Sequence, residues 1–245
     1  MKNTVKVIFT AVSESYRFRV KTLNLGGVYP KIDIAVIDEE NGLHEFSVVK
    51  VVTSYSSEIV SASIVQAIRQ IDYFWNILSY LGNSVIKPTG KVYYEVKGVR
   101  NEFNSNSGSV FFGAILIASV GPEWFESQKE QFSRNYNMDL LKRFNFSMSI
   151  EEPIGRFISL YSLLGTLVGD KQGTIDAAIE RADPSVEKNY GFNGAIETIY
   201  TRLRNELAHV REGVSIIETL KHIKVHLPSF EHLVKQVLER FILKN

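Results

Sequence analysis

The amino-acid sequence predicts an α+β protein: an N-terminal antiparallel β-sheet domain with one long packing helix, followed by a C-terminal all-α helical bundle. Three observations carry this. Period-two alternation of apolar and polar residues occupies the first 52 residues and returns after residue 91. Between these stretches lies a single run of apolar residues at three- and four-residue spacing, from Val60 to Leu78. From Gly121 to the end only the helical period remains.

In chain order, Val5–Phe9 and Tyr16–Val20 read as strands. Lys31–Ile37 and Glu45–Val52 follow, joined by a short acidic segment that ends in the turn pair Asn41-Gly42, the signature of a hairpin. Val60, Ile64, Ile68, Ile71, Trp75 and Leu78 then form one amphipathic stripe, with Ser56 or Ser57 as N-cap and Gly82-Asn83 as the stop. Strands resume over Lys91–Val99 and Ser109–Ser119, separated by the turn-rich Asn104–Gly108. This arrangement predicts a sheet over residues 1–120 with one face covered by the helix.

Pro122 suits a first helical position, and Phe125, Phe132, Tyr136, Leu140 and Phe144 give the next helix its buried stripe. Further helices are expected from Glu152 to Val168, Thr174 to Arg181, Asn193 to Val210 and Ser215 to Leu243, with Pro228 kinking or breaking the last. Residues 121–245 therefore form the helical domain, with its core bundle over 151–245. No Pro/Ser-rich linker marks the boundary.

Composition excludes several chemistries. The chain has no cysteine, which removes disulfides, thiolate metal sites and cysteine nucleophiles, and fits a reducing cytoplasm. With 28 basic and 27 acidic residues, net charge does not signal nucleic acid, so such a partner needs a local basic patch. The N-terminus lacks a signal-peptide layout, and the most apolar stretch, Val110–Val120, is too short to span a bilayer. The sequence reads as soluble and cytoplasmic, with no membrane partner. No phosphate-binding glycine loop or nucleophile elbow is present.

One constellation carries chemistry: Arg204-Asn205-Glu206-Leu207-Ala208-His209. On a continuous helix Ile196, Ile199, Tyr200, Leu203, Leu207 and Val210 share an apolar face, and Glu197, Thr201, Arg204 and Ala208 form a polar strip beside it. His209 lies roughly 140° from Arg204 on such a helix. The two side chains converge only if the helix ends just before His209, or if two chains pool them. Arg202 also satisfies the Arg-to-His pattern with His209, at the longer spacing, and would lie on the same helix face as His209. Glu197, two turns before Arg204, can hold the guanidinium or simply face solvent.

This hexapeptide, at the end of a bundle helix, resembles the signature of the HEPN domains (higher eukaryotes and prokaryotes nucleotide-binding). The resemblance covers residues 151–245. It implies a homodimer in which two copies of the motif face a shared cleft and cut RNA without metal or other cofactor. Arg204 would bind the phosphate, His209 would move a proton, and Asn205 would orient both. Glu197, Thr201 and Arg202 would support them.

A looser resemblance uses Glu152–Phe157, Tyr161, Thr201–Glu206, Arg211, Gly213 and Val214, and is to the methylamine-utilization J protein family. It implies a bacterial origin and names no substrate. A second function class therefore stands beside the nuclease: a non-catalytic dimerisation, nucleotide-binding or accessory module, with residues 1–120 recognising an unknown partner or ligand.

Other features have plain accounts. Cations at helix C-termini are favoured by the helix dipole, which suffices for Arg204, His209 and Arg211. His222 and His226 stand four residues apart, with Glu231 the nearest carboxylate beyond Pro228, and read as a solvated face rather than a metal site. Glu95-Val96-Lys97 would put an acid and a lysine on one strand face, as in metal-dependent restriction-type nucleases, but lacks a neighbouring acidic ligand. Tyr73-Phe74-Trp75 and Phe111-Phe112 read as core.

Overall fold

A computed structural model describes residues 3–13, 16–18, 22–25, 31–38, 40–83, 85–103, 118–191, 194–208 and 215–243. The chain folds as two compact units, Met1–Arg134 and Asn135–Asn245. The α+β class expected from patterning is observed: an antiparallel sheet followed by helices.

The first unit is built on β1 (Asn3–Val12), with β2 (Tyr16–Phe18), β3 (Thr22–Leu23), β4 (Ile32–Asp38) and β5 (Leu43–Val52) following in sequence. After α1 (Ser57–Gly82) come β6 (Lys87–Val96), β7 (Val99–Phe103), β8 (Ala118–Val120) and α2 (Pro122–Phe132). The main sheet has the order β3-β4-β5-β1-β6-β7, with every pairing antiparallel. A separate short pair, β2 with β8, is parallel.

Local chemistry sets these elements. Between β4 and β5, Asp38 accepts hydrogen bonds from the backbone N–H of Glu40 (3.0 Å) and Asn41 (3.1 Å), and Gly42 takes a left-handed φ of 65°. A further hydrogen bond, from the Asn41 side chain to the other Asp38 oxygen, leads these in holding the Asp38 carboxyl below its usual range. Ser56 caps α1 by accepting from Ile59 N–H, and Asn83 ends it in the left-handed region at φ 51°. Helix α1 lays Val60, Ile64, Ile71, Trp75 and Leu78 onto the sheet, where the Trp75 ring meets Phe9 and Phe46 edge-on at 5.9 and 5.7 Å.

Two strand expectations change. Lys91–Val99 is not one strand: Lys97 (φ 52°) and Gly98 (φ 81°) form a two-residue hairpin turn, so that Val96 pairs with Val99. Both positive φ values suit a turn that follows the strand twist. The proposed Glu95/Lys97 face is thereby dissolved. Lys97 sits in the turn over the Tyr55 ring, and Glu95 pairs with Arg100 at 3.1 Å. Most of the expected Ser109–Ser119 strand, with Phe111 and Phe112, lies outside the described residues.

The helix expected to run unbroken from Pro122 through Phe144 is two. Helix α2 ends at Phe132, and α3 (Met138–Ser149) starts afresh with Asn137 as its cap. Phe125 and Phe132 stack on Phe18 (6.4 Å) and Phe74 (5.6 Å), so α2 completes the first unit. The division expected after residue 120 is observed after Arg134.

The second unit holds α3, α4 (Pro153–Val168), α5 (Gln172–Ala182), β9 (Lys188–Tyr190), β10 (Ile196–Thr198), α6 (Ile199–Ala208) and α7 (Ile216–Leu238). Its core is an aromatic cluster in which Phe230 of α7 packs on Phe157 of α4 (4.9 Å) and stacks on Tyr200 of α6 (4.5 Å). Helix α7 runs through Pro228 without a break, the proline lying on its exposed side. Among the described residues, no helix is long and apolar enough to cross a membrane.

Candidate functional site

The helix carrying the Arg204 motif is shorter than its periodicity suggested. Residues 194–198 do not belong to it: Ile196–Thr198 pairs with Lys188–Tyr190 as a small antiparallel hairpin, and α6 begins at Ile199. Gly194 takes φ 75° in the connection, and Thr198 Oγ1 accepts from Thr201 N–H at the new helix start. Ile196 is therefore off the apolar face and 61% exposed, whereas Ile199, Tyr200 and Leu203 are buried as expected. Glu197 stands on a strand rather than on a helical strip with Arg204.

That shift changes the role of Glu197. Its side chain is buried at 4% exposure, and Oε2 accepts hydrogen bonds from Asn205 Nδ2 (2.9 Å) and Gln172 Nε2 (3.1 Å). Asn205 Nδ2 also lies 3.3 Å from Gln172 Oε1. On its other side, Asn205 Oδ1 accepts from Arg204 Nη1 at 3.1 Å. Glu197 thus reaches the guanidinium through Asn205 and is not a solvated partner. Gly191 makes the burial sterically feasible, since a Cβ there would sit 2.9 Å from the Glu197 carboxylate carbon.

A second buried carboxylate holds the start of the helix. Asp176 of α5 is 7% exposed, and its Oδ1 accepts from Thr198 N–H (3.2 Å), Thr198 Oγ1 (2.7 Å) and Thr201 Oγ1 (2.6 Å). Thr201 also contacts the Tyr161 hydroxyl at 2.9 Å. Burial raises the Tyr161 phenol above its ordinary value; the hydrogen bond with Thr201 acts against this, and the nearby Asp176 adds to it. In a low-dielectric interior such a network is rigid when each member is satisfied.

Arg204 itself is exposed, with its guanidinium carbon 6.0 Å from the Tyr161 ring centre. Among the described residues it has no carboxylate partner, and Asn205 takes one of its five N–H donors. The remaining donors can serve an anion arriving from solvent. Arg202, the other motif arginine, instead pairs with Glu206 at 3.5 Å. His209 follows Ala208 directly but lies outside the described residues, as do Val210, Arg211, Gly213 and Val214.

The remaining candidates do not converge on this cluster. His222 and His226 sit on exposed and half-exposed positions of α7, with ring centres 6.4 Å apart. Glu187 is held below its usual carboxylate range first by a hydrogen bond from Asn189, then by the charges of Arg202, His226 and His222. Glu231 pairs with Arg156 at 2.9 Å. Among the described residues, no group of three or more His, Asp or Glu side chains is placed to hold a metal ion. Sequence reasoning missed Asp176 and Gln172, and singled out Tyr161 only within the looser resemblance. The cue for the first was the dipeptide Thr198-Ile199 opening an apolar helix, a capping position that calls for an acceptor.

No protein-family model, curated protein or solved structure matches this chain.

Proposed function

We propose that the second unit is a metal-independent endoribonuclease module of HEPN type that works as a homodimer. Arg204 binds a phosphodiester, Asn205 orients it, and His209 moves the proton. The observation that carries this reading is the state of Arg204: its guanidinium is exposed, free of carboxylates among the described residues, and held from behind by the buried Asn205. Arg156 and Arg202, by contrast, turn their charge onto Glu231 and Glu206.

The chemistry is transesterification within the RNA. The 2′-oxygen attacks phosphorus, the 2′-hydroxyl proton passes to a base, the P–O5′ bond breaks, and the departing 5′-oxygen gains a proton. An imidazole that titrates near neutrality can take one of those protons or give the other. The guanidinium offers paired donors to the phosphate oxygens as their charge grows. On a helix continued past Ala208, His209 would face away from Arg204 of its own chain. The arginine of one protomer would then work with the histidine of its partner.

The test is cleavage of labelled single-stranded RNA in EDTA by the wild type, Arg204→Ala and His209→Ala. Cleavage by the wild type alone, leaving 2′,3′-cyclic phosphate ends, is the expected outcome. An absence of cleavage over varied RNAs, with all three proteins folded, would replace the nuclease with a binding or dimerisation module.

A further inference from the structure

We propose that Glu197 is a positioning residue that sets the aim of the Arg204 guanidinium through Asn205, with Gln172 completing the clamp. As a statement about catalysis this rests on the nuclease reading above; as a statement about Arg204 it stands on the geometry alone.

The argument turns on which way the Asn205 amide faces. An amide offers two donors on nitrogen and an acceptor on oxygen, and only its surroundings choose between its two orientations. Glu197 Oε2 (2.9 Å) and Gln172 Oε1 (3.3 Å) both meet the same end of Asn205, and a carboxylate can only accept. The NH₂ group must face them, which turns Oδ1 toward Arg204 Nη1 at 3.1 Å. The flipped amide would set oxygen against carboxylate and NH₂ against guanidinium, two repulsive contacts at once.

Glu197 can impose this choice because its carboxylate is buried and already engaged. Its carboxylate accepts from Gln172 Nε2 at 3.1 Å and fits against Gly191 only because that residue lacks a Cβ, which would approach to 2.9 Å. Three segments therefore meet on one carboxylate: the first turn of α5, the β9–β10 connection and the middle of α6. Arg204 lies at the surface, yet its direction is decided by groups 9% exposed or less at Asn205 and Glu197. A flexible arginine that must be ordered on binding loses affinity for a phosphate, whereas a pre-aimed one does not.

The experiment uses the full chain and two readouts. The first is the Arg204 Nε–H signal in ¹⁵N–¹H NMR spectra, assigned by its loss in Arg204→Lys. The second is RNA cleavage in EDTA, resolved into kcat and KM. Glu197→Ala removes the clamp, and Glu197→Gln keeps an acceptor in place. Gly191→Ala pushes on the carboxylate without removing it, and Gln172→Ala, at an exposed position, opens the clamp if Glu197→Ala fails to fold.

The expected result is an Arg204 signal at least twofold broadened or lost in Glu197→Ala and Gly191→Ala, and recovered in Glu197→Gln. In parallel, kcat falls tenfold or more in Glu197→Ala, with a smaller change in KM and rescue by glutamine. An Arg204 signal unchanged in folded Glu197→Ala, Gly191→Ala and Gln172→Ala overturns the positioning role. A wild type that cuts no RNA removes the nuclease reading, and the NMR comparison still decides whether Glu197 aims Arg204.

Discussion

Arg204 and Glu197 are joined through a single amide: Asn205 accepts from the Arg204 guanidinium at 3.1 Å and donates to the Glu197 carboxylate at 2.9 Å. One end of this relay is exposed and the other is buried. The relay converts the rigidity of the bundle interior into a fixed direction at its surface. It is also the reason that Arg204→Ala is expected to change stability little, within the range of exposed substitutions, while removing activity.

The companion carboxylate is expected to behave in the opposite way. Asp176→Ala leaves the Thr198 N–H, the Thr198 hydroxyl and the Thr201 hydroxyl without their acceptor in a buried setting. We expect a loss of about 2–4 kcal/mol in chemical denaturation, from the cost of buried unsatisfied donors. Thr198→Ala should cost about 1 kcal/mol, as the loss of a helix cap does. The two changes together should cost less than their sum, because they share one network. Additive losses would show that Asp176 acts independently of the cap.

In the first unit the hairpin turn gives a test of the fold. Gly98 at φ 81° has open space around the position of a Cβ, so Gly98→Ala is penalised by backbone conformation alone, by about 1 kcal/mol. Lys97→Asn should raise stability by a few tenths of a kcal/mol, since asparagine tolerates the left-handed region better than lysine does. An unchanged melting midpoint for Gly98→Ala would place the turn elsewhere and restore Lys97 to a strand.

The pH dependence follows from Tyr161. Burial raises its folded-state pKa, so the stability tied to its neutral form is fully present below the unfolded value of about 10 and is lost as pH rises through the folded value. Tyr161→Phe lacks this loss. The stability difference between wild type and Tyr161→Phe should therefore narrow above about pH 10, measured by denaturant midpoints from pH 8 upward. A difference that stays constant with pH would mean that the phenol titrates alike in both states.

Much of this protein was legible in its sequence. The Asn41-Gly42 hairpin, the Ser56 cap and the Asn83 stop of α1 appear where short-range chemistry put them. So does the apolar stripe from Val60 to Leu78, because periodicity alone tells a helix which face to bury. Helices α4 and α5 also sit close to their expected bounds, marked by Pro153, Gly169 and Asp183.

Only the tertiary structure decided the rest. Residues 196–198 fit a helical wheel as well as a strand, and what settled them was a pairing partner at Lys188–Tyr190 and an acceptor on Asp176, both supplied by other segments. Phe125 and Tyr136 fit one continuous stripe, yet α2 and α3 separate because Phe132 packs against Phe74 whereas Tyr136 bridges to Leu243. Periodicity records which side of an element is apolar; it carries no record of which distant residues meet it. The motif residues Arg204, Asn205 and His209 could be named from the chain alone. The burial of Glu197, and with it the direction of Arg204, exists only once Gln172 and Gly191 are folded against it.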